Sequence, residues 1–139
     1  KAGDMNPPSF LNASALVALG GGFGAWCRYA TGLVWTRAIG PVAASAFPWA
    51  TLTANVAGSL LMGLLVGWLA RFGAHGEGWR LLLGVGVLGG YTTFSSFALE
   101  FALFVERGTP GLAVLYAGVS LAAGFAALFL GLTVMRGLA

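Results

Sequence analysis

Four long apolar stretches follow one another along this chain, separated by short polar connections. They run from Leu11 to Trp35, from Pro48 to about Ala70, from Trp79 to Phe104, and from just after Pro110 to about Met135. Each is near or above the roughly 20 residues that an α-helix needs to cross a bilayer. The pattern predicts an all-α, multi-pass integral membrane protein, one four-span domain over residues 1–139. The connections are Thr36–Phe47, Arg71–Gly78 and a short turn holding Glu106 and Arg107. Asp4, Asn6, Pro7 and Pro8 form a polar lead, and His75 is expected as a solvated loop residue. No cleavage signal follows a basic, polar segment, so the first span is expected to be retained.

Within these spans the polar positions are few and patterned. The third carries GGYTTFSSF from Gly89 to Phe97. Glycines weaken a helical ladder, and Thr and Ser hydroxyls compete for the partners it frees. One reading is a discontinuous helix whose backbone groups form a site near mid-membrane, since protein, water or an ion must take them up there. The other is a continuous helix that uses glycine for close packing. In the second span Thr51, Asn55 and Ser59 recur every fourth residue and share one face. Asn55 either bonds a neighbouring helix or lines a route. Phe94 and Phe97, three apart, either pack or turn their electropositive ring edges toward a small anion. Tyr116 and Ser120, four apart, put two hydroxyls on one face of the fourth span. They join neighbouring helices or extend the Thr51–Asn55–Ser59 stripe. Arg28 lies in the first span, seven residues before Trp35. A structural or vestibular role is favoured over a topology anchor, because lipid alone would leave its donors unmet.

Composition narrows the functional classes. Hydrophobic residues make up 58% of the 139 and charged ones only 8%, against about a quarter in soluble domains. The net charge of +3 comes from seven scattered basic residues that form no cluster, so it says little for a nucleic-acid surface, and no nucleic-acid partner is expected. Cys27 is alone, so neither an internal disulfide nor a cysteine-rich metal site is available. One histidine in a connection offers no catalytic dyad, and the chain is not expected to be an enzyme. With both termini on one side, that side holds Lys1, Arg71, Arg80 and Arg136, and the other holds Arg37 and Arg107, with Arg28 embedded nearer to it. So weak a positive-inside bias permits insertion in either orientation and hence an antiparallel pair.

GGGFGAWCRY at Gly20–Tyr29, TLTANVAGS at Thr51–Ser59 and GGYTTFSSF at Gly89–Phe97 together resemble the CrcB/Fluc family of fluoride channels. Tyr91 stands where that pattern is usually aliphatic, and Ser96 where its second threonine is usual. The resemblance implies a dual-topology antiparallel homodimer in the bacterial cell inner (cytoplasmic) membrane, with its third helix broken and two separate pores for fluoride ion. It implies passive export of toxic cytoplasmic fluoride down its electrochemical gradient. It also implies a central structural Na+ held by main-chain carbonyls, which map to Gly89 and Thr92. Asn55, Phe94, Phe97, Tyr116 and Ser120 would line the pore, and Arg28, Thr51 and Ser59 would be structural or vestibular. Two alternatives stand beside this: a small four-span exporter of drugs or organic cations, which would favour a buried acidic residue, and a structural subunit of a larger membrane complex.

Overall fold

The computed structural model describes residues 8–73 and 76–137. His75 and the polar lead up to Pro7 lie outside them. Four helical spans are long and apolar enough to cross a membrane.

The first helix, α1, covers Phe10–Ala46, and Ser9 caps it by accepting the Asn12 amide at 3.4 Å. It is longer than the hydropathy pattern predicts. Residues 36–39 stay in the ladder, and the interruption waits for Gly40, with φ 82° and ψ 158°. Only glycine takes that conformation cheaply, and Pro41 then suits the first turn of the short helical piece beyond it. The expected Thr36–Phe47 connection is therefore mostly helix. The second helix, α2, covers Trp49–Phe72, and the Pro48 carbonyl accepts the Leu52 amide at 3.1 Å.

The third span starts earlier than expected, at Gly76, where Glu77 and Arg80 form a bidentate ion pair at 2.7 and 2.8 Å. Its first half, α3 (residues 76–91), opens with a turn at Gly76–Trp79 and passes through a π-helical stretch at Arg80–Leu88. It ends with Gly89–Tyr91. Thr92 and Thr93 are extended, and the second half, α4, runs Phe94–Glu106. The third span is thus interrupted, but not at the paired glycines, which remain helical. Gly108, at φ 76°, turns the chain into α5, Pro110–Gly137.

Packing is by backbone approach. α1 lies along α3, and α2 along α5. A Cβ at Gly24 would overlap the Val87 carbonyl and come within 2.8 Å of the Tyr91 amide. One at Gly63 would overlap the Leu128 carbonyl. Lipid is as apolar as leucine, so helix association there depends on contact at this range. Large apolar side chains point outward instead, as Phe10, Trp26, Phe125 and Phe129 do. Among the described residues Tyr116 is the one large side chain fully enclosed, at 0% exposure. Phe47, Phe97 and Phe104 surround it, with ring centroids 5.2 to 6.0 Å away.

Candidate functional site

The interruption at Thr92–Thr93 is closed by a side chain from another helix. Asn55 of α2 accepts the Thr93 amide at 2.8 Å and donates its Nδ2 hydrogen to the Thr93 carbonyl at 3.0 Å. Both main-chain groups of a buried residue are thereby met by one amide, which serves as donor and acceptor at once. Thr93 then caps the next half-helix: its Oγ1 accepts the Ser96 amide at 3.2 Å. Thr92 turns inward, and its hydroxyl donates to the Leu88 carbonyl at 2.9 Å.

These diversions have a cost elsewhere. In an unbroken helix the Thr93 amide would serve the Gly89 carbonyl, and the Ser96 amide would serve that of Thr92. Both amides are committed to side chains instead. Gly89 and Thr92, the carbonyls the sequence resemblance singles out for a cation, are thus among those that lose their ladder donors at the break. Among the described residues no group of three or more His, Cys, Asp or Glu converges. A hard cation here would accordingly take main-chain oxygens, the donor type that suits it.

On the other side of the break is a cavity of about 430 Å³. Asn55, Ser59, Phe94, Phe97 and Ser120 line it, together with the Thr92–Thr93 corner. The Phe94 and Phe97 rings are 5.8 Å apart at 42°, and Phe94 is 78% exposed. The Ser120 hydroxyl is buried and has no hydrogen-bond partner among the described residues. The N-terminal end of α4 borders the same space, bringing the positive end of its dipole to a mid-span position.

Beyond Tyr116 lies a second polar cluster. Glu100 accepts Thr51 Oγ1 on one carboxylate oxygen and Tyr116 Oη on the other, each at 2.6 Å. Smaller cavities of about 330 and 160 Å³ reach Glu100 from the side of the Gly40–Pro48 segment. The Thr51–Asn55–Ser59 face is therefore divided among three duties: Glu100, the break, and the cavity wall. Arg28 stands apart, half-buried on α1, with no hydrogen bond or ion pair to the described residues. Sequence reasoning left Glu100 without a role. The available signal was a carboxylate within an apolar span that also holds hydroxyls on two neighbouring spans. Thr93 was likewise given no role of its own, since nothing local marks it as the residue that Asn55 clamps.

Residues 15–132 match the family model described as CrcB-like protein, Camphor Resistance (CrcB). The chain belongs to the CrcB family. Three relatives named fluoride-specific ion channel FluC show how far the likeness extends. That of Novosphingobium aromaticivorans is 60% identical over 129 residues, 93% of this chain and 100% of the relative. That of Erythrobacter litoralis is 49% identical over 132 residues, covering 94% and 95%. That of Caulobacter vibrioides is 47% identical over 127 residues, covering 91% and 97%. The match thus reaches all four spans, including both sides of the interruption.

Proposed function

We propose that this chain is a passive, fluoride-selective channel of the bacterial inner membrane. The observation that carries this reading is the cavity beside the break. One unpartnered hydroxyl, one amide and two aromatic rings converge there, at the N-terminal end of a half-helix. Fluoride is small and strongly hydrated, so its path must replace lost water with O–H, N–H and ring-edge contacts. Ser120 supplies a free donor, and the Phe94 and Phe97 edges supply weaker contacts that do not hold the ion fast. Several modest contacts in series allow both binding and departure. The names of the relatives, fluoride-specific ion channels, support the same substrate.

In this reading two copies pair in opposite orientations and form two pores. The 78% exposure of Phe94, a cavity-lining ring, supports a covering partner. Gly89 and Thr92 of both copies would hold a structural Na+, which when bound supplies one positive charge tying the two interruptions together. Flow follows the fluoride gradient, outward from a cytoplasm that has accumulated the ion. Glu100 favours one other reading, a proton-driven exporter of organic cations, because it places a carboxylate within a span.

Liposomes containing only the purified chain separate these readings. Fluoride efflux without ATP or a proton gradient, with little chloride efflux, is expected. Phe94→Ile and Phe97→Ile should each slow that efflux at least tenfold while the dimer persists on size exclusion. Equal chloride flux, or transport only under a proton gradient, would overturn the channel reading.

A further inference from the structure

The last side chain before the interruption is tied to α1. Tyr91 Oη lies 3.1 Å from Thr31 Oγ1, and Thr31 Oγ1 lies 2.9 Å from the Cys27 carbonyl. A carbonyl only accepts, so the single Thr31 proton goes to Cys27. Tyr91 must therefore be the donor in its pair, and the direction of the relay is fixed: Tyr91 to Thr31 to Cys27. The Tyr91 amide also sits close against Gly24, and its ring flanks Gly58 of α2. Tyr91 stands between Gly89 and Thr92, and two further anchors bracket it. Gly90 packs on the Gly21 main chain, and Asn55 holds Thr93.

We infer that the Tyr91–Thr31 hydrogen bond is a positioning contact for the Gly89 and Thr92 carbonyls, setting how well this chain holds its cation. The inference rests on the sodium reading above. Carbonyl ligation of a small cation depends on oxygen placement to within a few tenths of an ångström. Asn55 fixes the far side of the two extended residues and Tyr91 the near side. An aliphatic side chain at position 91 would leave the near side held by packing alone. The hydroxyl adds a directional tie to α1, the helix along which α3 lies.

Tyr91→Phe deletes the donor but leaves the Thr31 proton satisfied by Cys27, so the fold is spared a new orphan donor. The test is thermal unfolding of the purified protein against NaCl, with choline chloride holding ionic strength constant. This reads cation binding through its stabilisation of the folded state. Wild type should show a sodium-specific rise in Tm. Tyr91→Phe and Thr31→Val should each raise the half-saturating sodium concentration at least threefold. The double variant should go no further than the larger single effect, and Thr31→Ser should match wild type. Coinciding titrations of wild type and Tyr91→Phe, or full additivity in the double variant, would overturn the inference while leaving the sodium reading intact. A wild type without any sodium-specific shift would remove the sodium reading and this inference with it.

Discussion

Replacing Asn55 with alanine deletes both bonds to Thr93, at 2.8 and 3.0 Å, and strands an amide and a carbonyl. Thr93 is 8% exposed, so water does not readily substitute. A buried orphan of this kind costs about 1–3 kcal/mol, which puts the pair at about 2–6 kcal/mol. Interhelical bonds measured inside membranes average only about 0.6 kcal/mol, because the unfolded chain finds partners there too, which lowers the pair to about 1 kcal/mol. Between these limits we expect a loss of about 2 kcal/mol, roughly a 30-fold fall in the folded-to-unfolded ratio. Equilibrium unfolding by SDS titration in mixed micelles measures it. Hydrogen exchange should then show faster exchange at the Thr93 amide than at amides of the α2–α5 seam. A change below about 0.5 kcal/mol with the Thr93 amide still protected would refute the clamp.

Three further substitutions test the same structure. Ser120→Ala should leave stability unchanged or slightly raised, because it removes a buried hydroxyl that has no partner among the described residues. The same variant should lower fluoride efflux from liposomes several-fold, so equal flux would remove Ser120 from the route. Gly63→Ala should destabilise by about 1–3 kcal/mol or more, since its Cβ would meet the Leu128 main chain. Gly118→Ala, with open space around it, should gain up to about 1 kcal/mol of helix stability. Reversal of those two signs in unfolding experiments would contradict the packing.

The four spans are legible because a bilayer demands length and apolarity, and both are local properties of sequence. The interruption is legible as well, as a run of glycine and hydroxyl residues inside the third span. Its position within that run is not, because Asn55, 38 residues upstream, decides which threonine leaves the ladder. Glu100 was obscured for the same reason: its partners are Thr51, 49 positions away, and Tyr116, 16 positions away. The end of α1 was misjudged because a polar turn of helix looks like a loop until Gly40 supplies the positive φ. The π-helical stretch has no side-chain signature at all. It coincides with the place where Gly86 meets Gly20 backbone to backbone, a contact visible only once α1 and α3 are side by side.

The gap between α3 and α4 has two faces of opposite polarity, one ending in oxygens and the other beginning with amides. A mutation that mended the gap would erase both together. No single substitution of that kind could remove the oxygen-lined face and keep the amide-lined one.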